Sequence, residues 1–242
     1  STEVGGLFMK YSGESNLKTI GLEMGGKSPF LVLEDAKIND ILVDNAINSA
    51  FWNGGQNCSA NMRQIIHSKV KDEFLDKVLK RVKNIKVGDP LDVNTNMGSM
   101  ISKGHLKKVD GYIQKGIDEG ASILHGGVSE SNQKGFFAKP TLFDNVKENM
   151  IIAQEEIFGP VLGILTVNST EEALKIAKNS KYGLHASVFT QDINKAFYIA
   201  KNLPCGTISI NTFSEGDIKT PFGGFKQSGS LSRDQGTEAL NQ

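Results

Sequence analysis

Residues 160–179 read Pro-Val-Leu-Gly-Ile-Leu-Thr-Val-Asn-Ser-Thr-Glu-Glu-Ala-Leu-Lys-Ile-Ala-Lys-Asn. The short apolar run Pro160–Val167 reads as a strand. Ser169-Thr170-Glu171-Glu172 has capping-box spacing, so a helix starts there and runs through Asn179. The pattern continues with a strand over Leu184–Thr190, a helix over Ile193–Leu203 and a strand over Gly206–Asn211. Upstream, Pro29-Phe-Leu-Val-Leu33 and Arg63-Gln-Ile-Ile-His67 read as strands. Ile38, Ile41, Leu42, Ala46, Ser49 and Ala50 fall at helical spacing between Lys37 and Asn53, and a double glycine ends that helix. A second amphipathic helix carries Phe74, Leu75, Val78, Leu79, Val82 and Ile85, and Gly88-Asp89-Pro90 breaks the chain after it. A third, over about residues 103–119, leads to a strand at Ala121–His125. Strands alternating with helices of this length predict an α/β fold. Its sheet is twisted and mainly parallel, joined by right-handed crossovers and covered by helices on both faces.

The chain has 242 residues, 38% hydrophobic and 22% charged, as expected of a globular protein with a sizeable core. Its 27 basic and 27 acidic residues cancel, which argues against a nucleic-acid partner, since such proteins carry a basic face. No apolar run has the length of a membrane span, and no charged-then-apolar leader opens the chain. Two cysteines do not make a disulfide framework, so a reducing, cytoplasmic compartment is expected. Ser1-Thr-Glu-Val-Gly-Gly6 reads as a small-residue turn of the kind that follows a strand and begins a helix. With nothing ahead of it, the chain reads as the back part of a longer protein.

Chemistry concentrates in glycine-framed turns. Trp52-Asn-Gly-Gly-Gln-Asn-Cys-Ser-Ala-Asn-Met-Arg63 puts the thiol of Cys58 after a helix stop, among small polar residues rather than leucines. Glu23 lies in Gly21-Leu-Glu-Met-Gly-Gly-Lys-Ser-Pro29, where apolar neighbours favour a raised pKa and hence a better base. A thiol and a carboxylate on such turns suggest covalent thiol catalysis with a general base. Each also has a plainer reading, as a buried structural cysteine and a solvated strand-end glutamate. Gln154-Glu-Glu-Ile-Phe-Gly-Pro160 offers a carboxylate for sugar hydroxyls and a phenyl ring for a flat heterocycle. Pro221-Phe-Gly-Gly-Phe-Lys-Gln-Ser-Gly229 is a loop with aromatics able to wall a substrate tunnel. Cys205 sits at a helix-to-strand junction without polar company and reads as structural. The four histidines are scattered without metal-ligand spacing, so no metal is expected. Neither a nucleophilic-serine elbow nor a Walker-type loop occurs.

In chain order, the Glu23 segment, the Cys58 segment and the two downstream motifs resemble the signatures of the NAD(P)-dependent aldehyde dehydrogenase superfamily, and the resemblance spans essentially the whole chain. It implies that Cys58 attacks the aldehyde, with its backbone N–H holding the oxyanion, and that Glu23 activates water to hydrolyse the thioester. It implies NAD or NADP bound by Ser1, Gly25, Glu156 and Phe158, with Ser1 near the pyrophosphate at a helix N-terminus. Trp52, Gln56, Asn57, Asp217 and Phe222 would line the substrate pocket. Glu215-Gly216-Asp217 resembles the branch acting on amino- or glutamylamino-aldehydes, where two carboxylates favour a cationic substrate.

The family's members are longer, and this chain resembles their second half. Residues 1–26 are expected to be a remnant of the Rossmann-like NAD(P)-binding domain, 27–228 the catalytic domain, and 229–242 a segment leading to a truncated oligomerisation strand. A slightly lengthened Ser-Leu-Ser segment lies between Gly229 and Arg233. Homodimers or homotetramers are expected of the full-length form. The isolated chain is expected to have little dehydrogenase activity and to aggregate. Two other readings stand beside this one: a cysteine esterase or acyl-transferase needing no cofactor, and an inactive fragment serving as a structural or interaction module.

Overall fold

The computed structural model describes residues 1–129, 135–230 and 233–241. Leu231 and Ser232, in the lengthened segment after Gly229, lie outside the described residues, as does Gln242.

Side-chain alternation along the strands generates the layers. In β1 (Pro29–Val32), Phe30 and Val32 join one buried cluster while Leu31 joins another. In the later strand Val161–Val167, Leu162 and Ile164 face the first cluster, and Val161, Leu165 and Val167 the second. A strand apolar on both faces needs a cover on each. Helices α2 (Asp40–Phe51) and α3 (Ser68–Lys83) cover the first face through Leu42, Val43, Ala46, Phe74, Val78 and Val82. Helix α4 (Lys103–Asp118) covers the second through Val109 and Ile113.

The remaining elements are β2 (Arg63–His67), β3 (Ser122–His125), β4 (Thr141–Asp144), α5 (Ile151–Gln154), β5 (Val161–Val167), α6 (Thr170–Lys178), β6 (Tyr182–Gly183), β7 (His185–Phe189), α7 (Ile193–Asn202), β8 (Thr207–Ile210) and β9 (Phe225–Lys226). Among the described residues, seven strands form one sheet in the order β3-β4-β5-β2-β1-β7-β8. All neighbours are parallel except β3 and β4, which pair antiparallel with a bulge between Ile123 and His125. Strands β6 and β9 form a separate antiparallel pair that ties the 221–229 loop down.

Local chemistry sets several boundaries. Asn39 Oδ1 accepts the Leu42 amide at 3.0 Å and starts α2; Ser102 Oγ accepts the His105 amide at 3.1 Å and starts α4. Ser169 Oγ accepts the Glu172 amide at 3.1 Å, but Glu172 Oε2 reaches back to the amide of Asn168, one residue beyond the cap. Two expectations are corrected, and two elements are additions. Residues 1–6 are helical rather than a turn: Ser1 lies at a helix N-terminus as expected, but helix α1 (Thr2–Glu14) begins at once, because Ser1 Oγ accepts the Val4 amide at 3.3 Å. Helix α2 ends at Phe51, before the glycines, and a tight turn over Trp52–Gly55 follows with left-handed Asn53 (φ 52°), Gly54 (62°) and Gly55 (70°). Strand β4 and helix α5, four residues each, were not anticipated, being too short to show a period.

Candidate active site

Glycine lets the thiol loop and the glutamate segment meet main chain to main chain. A Cβ on Gly26 would collide with the Cys58 carbonyl oxygen, and one on Gly25 with the Glu156 carboxylate. Gly26 N–H donates to Glu156 Oε1 at 3.1 Å, so Glu156 is held three residues from Glu23 along that segment. On its other side the segment pairs with the last motif: Met24 N–H donates to the Ser228 carbonyl at 2.8 Å, and Ser230 N–H to the Leu22 carbonyl at 3.1 Å. The Cys58 turn closes on the Phe158-Gly159-Pro160 turn, since a Cβ on Gly55 would lie 2.6 Å from the Gly159 carbonyl oxygen. Four segments distant in sequence thus share one patch of backbone.

The site is electrostatically negative. Cys58 is half-buried, and burial raises its thiol pKa first, followed by the carboxylates of Glu215, Glu156 and Glu23; its own backbone N–H works the other way. The resting thiol is therefore protonated at neutral pH. Burial pushes the Glu23 carboxyl up to about 7; Asp234 adds to the rise, while the nearby Gly224 amide and Arg233 oppose it. Among the described residues, neither Glu23 oxygen has a hydrogen-bond partner. The Glu156 carboxyl is raised by burial and lowered by the Gly26 bond, Lys108 and Lys27. Lys27 is buried, and its Nζ has no partner among the described residues; burial, with Arg63, brings its pKa down to about 7.

The other expected residues are placed as follows. Ser1 caps α1 and lines, with Val4, Gly5, Phe8 and Glu23, a cavity of about 380 Å³. Phe158 is partly exposed at φ 58°, its carbonyl 2.5 Å from His105 Nε2 and its ring edge-on to that imidazole. Asn57 Nδ2 donates to Glu215 Oε1 at 3.0 Å. Gln56 is turned away, its Oε1 accepting the Ile101 amide at 2.9 Å. Trp52 is exposed and lines a different groove with Arg81 and Asn96. Asp217 is exposed, and its Oδ1 accepts the Lys219 amide of its own turn at 2.9 Å. Phe222 pairs its backbone with Asp234 at 2.6 and 2.7 Å. Cys205 packs against the second core cluster, where burial pushes its thiol up to about 12. Sequence reasoning did not single out Ser59, whose Oγ donates to Glu215, or His105; each acts on a partner at least 53 positions away. No cluster of three metal-ligating side chains occurs among the described residues.

A parallel sheet covered on both faces, with a thiol and carboxylates gathered at glycine contacts, matches the aldehyde dehydrogenase family over residues 1–242, and the chain belongs to that family. It is 38% identical over 242 residues to the aminoacetaldehyde dehydrogenase of Pseudomonas aeruginosa, covering all of this chain and 48% of that one. It is 43% identical over 244 residues to the cytosolic 10-formyltetrahydrofolate dehydrogenase of Xenopus laevis, covering all of this chain and 27% of that one. The NAD+ complex of a Bacillus cereus aldehyde dehydrogenase superimposes with a TM-score of 0.95 at 41% identity, over all of this chain and 48% of that one. The chain thus spans half or less of the length of these relatives.

Proposed function

We propose that this chain carries the catalytic side of an enzyme that oxidises an aldehyde to a carboxylic acid with NAD or NADP, through a covalent adduct on Cys58. The observation that carries this is the main-chain contact of Gly26 with Cys58, which sets a near-neutral carboxyl, Glu23, on the segment touching the thiol loop. Residues 27–228 form the catalytic part in this reading, and residues 1–26 belong to the cofactor side.

Cys58 Sγ passes its proton to solvent water and bonds to the aldehyde carbon, and the resulting oxyanion lies where the Cys58 backbone N–H can stabilise it. A nicotinamide held there would supply the acceptor for a hydride from this carbon, and the adduct would then be a thioester on Sγ. Glu23 then takes a proton from water as the water oxygen attacks the thioester, the carbon–sulfur bond breaks, and the acid departs. Residues fit the cofactor on two counts. The α1 N-terminus with Ser1 opens on a cavity shared with Glu23 and favours phosphate, and Gly25 lets backbone and the Glu156 carboxylate approach closely. Glu156 would hold the ribose hydroxyls and Phe158 the flank of the nicotinamide.

For substrate we favour a cationic aldehyde, because Glu215 stands against the thiol loop and Asp217 two residues on. A relative at 38% identity is an aminoacetaldehyde dehydrogenase. Equal losses on a cationic and a neutral aldehyde in a Glu215→Gln/Asp217→Asn variant would end that idea. A cytoplasmic compartment is proposed from the two free cysteines.

An acyl-transfer assay tests the core claim without cofactor. p-Nitrophenyl acetate is expected to acetylate Cys58, seen by peptide mass spectrometry. Glu23→Gln is expected to slow release of that acetyl group about a hundredfold. An unmodified Cys58, or an unchanged release rate in the variant, refutes the assignment.

A further inference from the structure

The carboxylate of Glu215 is bound to the residues on both sides of Cys58. Asn57 Nδ2 donates to its Oε1 at 3.0 Å, and Ser59 Oγ donates to the same oxygen. Asn57 Oδ1 in turn accepts the Ser59 amide at 3.3 Å, which closes the turn on itself. Glu215 itself faces solvent, so its place depends on what holds the adjoining backbone.

That backbone is anchored in the core. The Ser214 carbonyl accepts His185 Nε2 at 2.9 Å and Ser209 Oγ at 2.7 Å. His185 is wholly buried and burial brings its pKa down to about 4, so it is neutral and its one N–H is spent on Ser214. Its Nδ1 is left as an acceptor, 3.4 Å from Asn61 Nδ2, which also donates to the Pro29 carbonyl at 3.0 Å. Ser187 Oγ donates to Asn61 Oδ1 at 3.2 Å. A continuous series of satisfied buried polar groups therefore runs from β1 and β7 across β8 to the residue before Glu215.

We propose that Glu215 is a positioning residue that, through Asn57 and Ser59, fixes the Cys58 turn and controls how readily the thiol ionises. The inference rests on Cys58 being the nucleophile proposed above. Among the described residues, the charged groups acting on the thiol are Glu215, Glu156 and Glu23, all carboxylates, and none of them favours the thiolate. Of the three, only Glu215 also bonds the turn that carries the sulfur. It keeps the thiol neutral at rest and leaves ionisation to the moment a base takes the proton.

Iodoacetamide alkylation of the chain against pH separates charge from geometry, with Cys58 and Cys205 peptides read individually. Glutamine can accept the same two hydrogen bonds without the charge. Glu215→Gln is therefore expected to alkylate Cys58 roughly three- to tenfold faster at pH 7, with the parent's limiting rate at high pH. Glu215→Ala removes the bonds as well and is expected to change that limiting rate too. A Glu215→Gln profile that overlays the parent overturns the charge role, and a Glu215→Ala limiting rate equal to the parent's overturns the positioning role. Unchanged circular dichroism and melting temperature check that both variants fold. If p-nitrophenyl acetate still acetylates Cys58 while these profiles coincide, only this inference fails. If Cys58 is never acetylated, the functional reading fails instead.

Discussion

Glu23 keeps two buried carboxylate oxygens without a hydrogen-bond partner among the described residues, and a group so placed resists ionisation. With its carboxyl at about 7, the base is half-formed at neutrality, so acetyl release from Cys58 is expected to rise with pH through about 7 and then level off. Glu23→Gln should lack this rise; a parallel pH profile in the variant would assign the ionisation to another group. The same shift has a stability consequence of definite sign. A carboxyl raised in the folded state stabilises the fold below its unfolded value near 4.5, and the benefit is lost as pH climbs through about 7. Glu23→Gln is thus expected to raise the melting temperature at pH 8 and leave it nearly unchanged at pH 4. A rise of equal size at both would exclude the burial explanation. The segments of Glu23 and Cys58 were legible as candidates in the sequence because Gly26, which lets the two segments meet, is a near neighbour of Glu23. Glu215 as a partner of the thiol turn was not, since Asn57 and Ser59 are 158 and 156 positions away.

Between elements, Arg63 shows how β2 and α6 are joined. It is 1% exposed, and its Nη1 donates to the Ile176 and Asn179 carbonyls at 3.3 and 3.0 Å, its Nη2 to Ala177 at 2.8 Å. These are the carbonyls that a helix C-terminus leaves open, at the negative end of its dipole. Arg63→Met is expected to lower stability by about 3 kcal/mol or more, read as a reduced urea midpoint, because buried acceptors lose their donor. A midpoint within error of the parent would mean that water replaces the guanidinium at no cost. The elements with a long apolar period, α2, α3, α4 and β5, could be read directly, as could the alternation that makes the sheet parallel. Strands β6 and β9 could not: two residues have no period, and only the partner across the chain defines them. The capping box was visible as spacing, while its reach to Asn168 depends on the actual path of the preceding loop.

At the scale of the whole molecule, α1 carries an apolar stripe that none of the described residues covers. Val4, Leu7, Phe8 and Tyr11 fall at helical spacing and are each about half exposed. Contiguous exposed apolar surface binds hydrophobic dyes. Leu7→Lys with Tyr11→Lys, both away from the Ser1–Glu23 cavity, is expected to reduce anilinonaphthalene sulfonate fluorescence without lowering the melting temperature. Undiminished dye binding would locate the apolar surface elsewhere. Where Gly26 meets Cys58, no side chain intervenes between the two loops. Any Cβ at that point must therefore prise the two loops apart, so their proximity is a property of the peptide backbone and would be lost with the first added methyl group.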